Sequence, residues 1–248
     1  MPVLEDESGI WDERYRSAAT EEERIVQQDV SENVMNLPEP IHAMLDVGCG
    51  TGDMVMAWAQ HGAAATGLDI SAQAIQSARA ASCAAQLQDN CSFVVGDWTA
   101  LELDAYDWRH AFDLVFSAMG PDMRDPASLQ KMNTSSRGYC RLLIFHDGQN
   151  ALAELASQRL GLPLPPSPPG GEVVIRAQLS AYTVFAEDVV CRIAYEAPTA
   201  RWRSYLQQLF PAQSCHPLLD EIIQEQGGCN ERMIVQTDAV YRMLTWKV

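Results

Sequence analysis

The stretch LDVGCGTGD, residues 45–53, places Gly48, Gly50 and Gly52 at alternate positions, behind a short apolar run and ahead of a helical pattern. A plain turn needs one glycine. Three in alternation mark backbone that adopts φ values barred to other residues or that lies against a ligand where a Cβ has no room. The flanks favour the ligand. IHAMLDV reads as a buried strand, and DMVMAWAQHG spaces Met54, Val55, Trp58 and Ala59 along one helical face with Gly62 as its stop. Strand, glycine-rich turn and helix form the unit with which an open α/β sheet cradles a nucleotide at the carboxyl ends of its strands.

The rest of the chain continues that alternation. AAATGLDIS predicts a second strand ending at Asp69, with Ser71 capping the Ala-rich helix AQAIQSARAASCAAQLQ. CSFVVGDW and AFDLVFSAM predict the third and fourth strands, and Asp125-Pro126 opens a helix running towards Gly138. YCRLLIFH is the fifth strand, and NALAELASQRLG a helix stopped by Gly161. Strands alternating with helices imply a mainly parallel, doubly wound sheet. LPLPPSPPGGE, residues 162–172, then interrupts regular structure and reads either as a surface loop or as a lid over the cleft. Beyond it EVVIRAQLSAYTVF is open between strand and helix. VVCRIAYEA is a strand, RWRSYLQQLF and PLLDEIIQEQ are helices, and DAVYRMLTWKV is a closing strand. The expected organisation is one α/β domain: an N-terminal helical cap over 1–40, a cofactor-binding core over 41–160, and a Pro-rich loop with C-terminal strands and helices over 161–248.

With 17 basic against 33 acidic residues the net charge is −16, which disfavours nucleic acid or an anionic membrane as a partner. Seven scattered cysteines without a CxxC pair suit reduced thiols, and no metal site is expected. Cys215-His216 and Cys229 match no compact ligand spacing. Neither a signal peptide nor an apolar run of membrane-spanning length stands out, so the expected location is cytoplasmic. The oligomeric state is not legible.

A dinucleotide and S-adenosylmethionine both suit a glycine-rich loop. The dinucleotide pattern is GxGxxG, whereas Gly48, Gly50 and Gly52 give GxGxG, and an acid beside the loop suits a ligand with an amino group. In LDVGCGTGD, GLDIS, VVGDW and FDLVFSAM the chain resembles the class I S-adenosylmethionine-dependent methyltransferases, over approximately residues 40–146. The resemblance implies a Rossmann-like, mainly parallel seven-stranded sheet, S-adenosylmethionine as cofactor and methyl transfer to a small molecule. It implies that Asp46 supports the loop and the cofactor's amino end, and that backbone at Gly48 to Gly50 lies against the ligand. Asp69 would accept the ribose hydroxyls, and Asp97 would face the adenine amino group with Trp98 beside the ring. Cys49, Ile70 and Ser117 fall at the cofactor in the same pattern, Cys49 as a small apolar residue.

In WDERYR, residues 11–16, Trp11 and Tyr15 with Arg14 or Arg16 either close over the cofactor's methionine end or belong to a simply packed amphipathic helix. SAMGPDMRD, after the fourth strand, is where the acceptor is expected. It lacks the Asn/Asp-Pro-Pro-aromatic signature of enzymes that methylate DNA amino groups. Asp122 and His146, the latter beside Asp147, are the candidate catalytic residues, against the alternative that each only caps or braces a loop. Two rival functions stay open: a non-catalytic S-adenosylmethionine-binding regulatory protein, and a nicotinamide-dependent oxidoreductase.

Overall fold

The computed structural model describes residues 24–27, 31–164, 171–227 and 231–248. Its strands are β1 (Arg24–Gln27), β2 (Ala43–Val47), β3 (Ala64–Asp69), β4 (Cys91–Val95), β5 (Phe112–Ala118), β6 (Ser136–Asn150), β7 (Phe185–Pro198) and β8 (Arg232–Lys247). The helices are α1 (Ser31–Met35), α2 (Asp53–Gln60), α3 (Ala72–Ala84), α4 (Pro126–Ser135), α5 (Ala151–Leu160), α6 (Glu172–Gln178), α7 (Thr199–Leu209) and α8 (His216–Glu225).

Local chemistry sets most of these boundaries. The Ser71 hydroxyl accepts the Ala74 N–H at 3.1 Å and caps α3, while the Asp125 carboxylate accepts the Ser128 N–H at 2.8 Å ahead of Pro126 and caps α4. Asn150 caps α5 through the Leu152 and Ala153 N–H groups, and Gly161, at φ 65°, ends it.

All the strands join one sheet in the order β1-β7-β8-β6-β5-β2-β3-β4. The pairs β2·β3, β2·β5, β3·β4 and β5·β6 are parallel; β8 runs antiparallel between β6 and β7. The expected seven-stranded, mainly parallel sheet is therefore present as β2 to β8. Beyond it β1 adds a short edge that the sequence did not announce, antiparallel to β7.

Apolar side chains cover both faces of the sheet. Met44, Val55, Trp58, Ile75 and Phe116 belong to one cluster; Leu45, Leu68, Val115, Leu142 and Trp246 belong to a second. A third cluster joins α5, α7 and α8 to the outer parts of β7 and β8, with Leu206, Leu219 and Ile222 fully buried.

EVVIRAQ, open between strand and helix in the sequence, is helical as α6, with its Ile175 in the second cluster. Two expectations need correction. α4 stops at Ser135 rather than near Gly138. The fifth strand of the reading does not end at His146: β6 continues to Asn150, paired through Asn150↔Thr237, because β8 spans 16 residues and offers backbone partners that far. The N-terminal segment bearing Trp11, Arg14, Tyr15 and Arg16, residues 165–170 of the Pro-rich stretch, and Cys229 lie outside the described residues.

Candidate active site

Three of the parallel strands, β2, β3 and β4, each deliver an acid to the carboxyl edge of the sheet. β2 delivers Asp46 and the glycine loop, whose Gly48 sits at φ 80°. A Cβ there would stand 2.7 Å from the Gly120 Cα, so the loop after β5 packs directly on the glycine loop. The loop is also tied to β3: the Gly48 and Cys49 N–H groups donate to the Leu68 carbonyl at 2.7 and 3.0 Å. Cys49 is buried, and burial pushes its thiol well above the usual range, in keeping with a small apolar residue.

Asp69 ends β3 and is 8% exposed. Its Oδ2 accepts the Gly50 N–H at 2.8 Å and its Oδ1 the Ser71 N–H at 2.9 Å. Two backbone donors hold the carboxylate in one orientation, and each oxygen keeps further acceptor capacity for a hydroxyl. Asp97, just past β4, accepts the Thr99 N–H and hydroxyl, each at 2.8 Å. Trp98 is buried, and its Nε1 donates to the Ser128 carbonyl at 3.2 Å, which fixes the indole at the cavity wall. Lys131 braces this loop from α4: its Nζ donates to the carbonyls of Trp98, Thr99 and Leu101 at 2.6, 3.1 and 2.8 Å.

Asp46 differs from the other acids. It is 3% exposed, and its Oδ1 has no hydrogen-bond partner among the described residues. Burial, reinforced by the charges of Asp69 and Asp53, pushes its carboxyl up to about 8. An orphaned buried acceptor beside a glycine loop lacks a donor or a cation.

A cavity of about 270 Å³ lies along this edge, lined by Gly48, Asp69, Ile70, Asp97, Trp98 and Thr99, and closed by the segment from Met119 to Asp122. Asp46 lies beneath the edge rather than in the lining. The Ser117 hydroxyl donates to the Val47 carbonyl at 2.7 Å, so it joins β5 to β2 and borders a neighbouring cavity instead.

The two candidate catalytic residues fare differently. Asp122 lines the cavity, but Arg124 grips it in a fork with both contacts at 2.7 Å and holds its carboxyl below the usual range, so it is a weak base. His146 is not among the residues lining either cavity. It is the bulged residue where β6 slips register between Phe145 and Asp147. Its Nε2 lies 3.0 Å from Arg242 Nη2, and its Nδ1 lies 3.8 Å from Glu172 Oε2. Its ring is thus engaged with Arg242 and Glu172, and β6 continues four residues beyond it, to Asn150.

Sequence reasoning did not single out Thr99 or Lys131, and it reached Met119, Gly120 and Pro121 only as part of SAMGPDMRD, where Gly120-Pro121 is a turn dipeptide directly after a strand.

Residues 40–208 match the profile of a methyltransferase-domain family. That is well over half of the chain, and the protein belongs to this family. It is an enzyme that takes its methyl group from S-adenosylmethionine. Among solved structures, the chain is similar to one from work on the conversion of a disulfide bond into a thioacetal group during echinomycin biosynthesis, at 21% identity over 96% of this chain and 92% of that chain, TM-score 0.57. It is also similar to the 4+2-cyclase SpnF, at 16% identity over 88% and 80% of the two chains, TM-score 0.52. At such identities the likeness concerns the fold, not the reaction. A comparison with curated proteins finds no match. No helix among the described residues is long and apolar enough to cross a membrane.

Proposed function

We propose that this methyltransferase acts on a small-molecule acceptor, and that its donor lies along the cavity at the carboxyl edge with the ribose on Asp69, the adenine between Asp97 and Trp98, and the amino end above Asp46. S-adenosylmethionine supplies a methyl group on a positively charged sulfur that leaves as a neutral thioether. The residues present suit that group: Asp46 offers an orphaned buried carboxylate to an ammonium, and Gly48 offers bare backbone.

The observation that carries the reading is the convergence of Asp46, Asp69 and Asp97 around one edge, each aimed differently. The lone pair of the acceptor forms its bond to the methyl carbon as the carbon–sulfur bond breaks, and any proton on the acceptor leaves to water. The chain's part is to hold the two in line, where effective molarities reach about 10⁵ to 10⁸ M. With Asp122 committed to Arg124, no strong base is required of it. The acidic surface supports an acceptor that is not a polyanion, and the chain is assigned to the cytoplasm on its thiols and composition.

Titration with S-adenosylhomocysteine tests this. At about 100-fold excess over the dissociation constant, binding adds roughly 2.7 kcal/mol and raises the melting temperature by roughly 5 to 11 °C. Asp69→Ala is expected to weaken binding about tenfold or more in a chain that stays folded, since each charge-assisted bond contributes about 1.5 to 3 kcal/mol. Wild-type affinity in Asp69→Ala would place the ribose elsewhere.

A further inference from the structure

Beside the donor cavity lies a second one of about 300 Å³, and Met119, Gly120, Pro121 and Asp122 wall both. Leu142 and Ile144 of β6, Met123, and Ile175 of α6 supply apolar walls. The polar side chains that reach it are already engaged. The Ser117 hydroxyl donates to the Val47 carbonyl at 2.7 Å, and Asp122 and Arg124 neutralise one another at 2.7 Å. An ion buried against such walls loses water without gaining a partner, whereas an apolar body gains by leaving water.

The partition itself is under strain. Met119 is not glycine yet sits at φ 49°, with 58% of its surface exposed. Its N–H donates to the Leu143 carbonyl at 3.1 Å, and at its neighbour Gly120 a Cβ would stand 2.5 Å from the Val47 carbonyl oxygen. β6 on one side and the glycine loop on the other thus fix a side chain in an unfavourable backbone state on the boundary between two cavities. Strain held this way gathers at ligand clamps.

We propose that the second cavity is the acceptor chamber and that it takes an uncharged, largely hydrophobic small molecule, with Met119 at the boundary between acceptor and donor. The proposal rests on the methyl-transfer reading above and adds to it the class of acceptor and the side chains that select it.

Indole, tryptamine and indoleacetate share one ring system and differ in charge, so they probe the chamber directly. Each is titrated into the full chain saturated with S-adenosylhomocysteine, and the methionine methyl groups are followed by NMR. Indole is expected to shift Met119 and Met123 and to bind about tenfold or more tightly than either charged relative. Ile144→Trp, at a half-buried position in the wall, fills the chamber and is expected to weaken indole about tenfold while S-adenosylhomocysteine binds as before. Equal binding of the three probes, absence of shifts at Met119 and Met123, competition between indole and S-adenosylhomocysteine, or unchanged indole affinity in folded Ile144→Trp would each overturn the proposal. The methionine shifts are read in the unsubstituted chain, so they decide the matter even if the variant does not fold. Failure of the donor reading has a different signature: S-adenosylhomocysteine then gives no titration, while indole still moves the two methionines.

Discussion

The strands β2 to β5, of 5 to 7 residues, and the strands β6 to β8, of 14 to 16, share one sheet but use its carboxyl edge differently. The short strands stop at the edge, and each hands over to a loop whose backbone donors orient an acid or whose glycines make room. The long strands run past it. Their charged side chains are then neutralised, Arg242 by Asp188 and by Glu172 of α6, Arg192 by Asp238, and Arg232 by Glu196. Stopping short leaves a carboxylate free to meet a ligand. Continuing makes hydrogen-bonded ladder and a support for α5, α7 and α8.

The comparison predicts that damage to the long-strand half lowers stability and spares donor affinity. Leu219→Ala, in the fully buried third cluster, is expected to lose about 2 to 5 kcal/mol in denaturant unfolding while the surviving folded chain binds S-adenosylhomocysteine normally. A parallel loss of affinity would mean the two halves are energetically coupled.

In the short-strand half, Asp46 makes the ligand-free protein sensitive to pH. Its folded value of about 8 lies above the ordinary 3.8, so the folded state favours the protonated acid. That contribution is present in full below about pH 3.8 and is lost as pH rises through about 8. Asp46→Asn should remove a dependence on the order of a few kcal/mol from paired melting curves between these limits, at about 1.4 kcal/mol per pKa unit. Identical slopes in the two proteins would show the carboxylate already has a partner.

Lys131→Met tests the bracing of the loop after β4 at smaller scale. Losing three charge-assisted bonds to carbonyls of Trp98, Thr99 and Leu101 is expected to weaken S-adenosylhomocysteine about three- to tenfold. Lys131→Arg should recover part of that affinity if the brace is the cause. The smallest effect belongs to His146→Ala: a change under about 1 kcal/mol in stability and unaltered donor affinity, because its contacts are with partly exposed ionic groups. A large loss of turnover in that variant, with stability intact, would return His146 to the chemistry.

The short-strand half was the more legible of the two. Its strands end where a charged residue meets a glycine or a cap, and Asp46, Asp69 and Asp97 each stand at such a point. The long strands hid their length. HDGQN after Phe145 has the composition of a turn, and only the tertiary partner β8, with a bulge at His146, keeps it in the sheet. EVVIRAQ has β-branched residues that suit a strand, and the packing of Ile175 overrides them. The second cavity was half legible: SAMGPDMRD marked the loop after β5 that walls it, but β6 and α6, which complete the walls, cannot be brought to that loop by local periodicity.

β8 lies between two strands that are both made before it. During vectorial synthesis β6 can pair with β5 as soon as both have emerged, but its other side stays a ladder of open N–H and C=O groups, and β7 has only the four residues of β1 beside it. An open edge of that length is a template for pairing with another chain. The order of strands therefore leaves the edge of β6 open from its emergence until β8 inserts, which sets the interval of aggregation exposure late in synthesis.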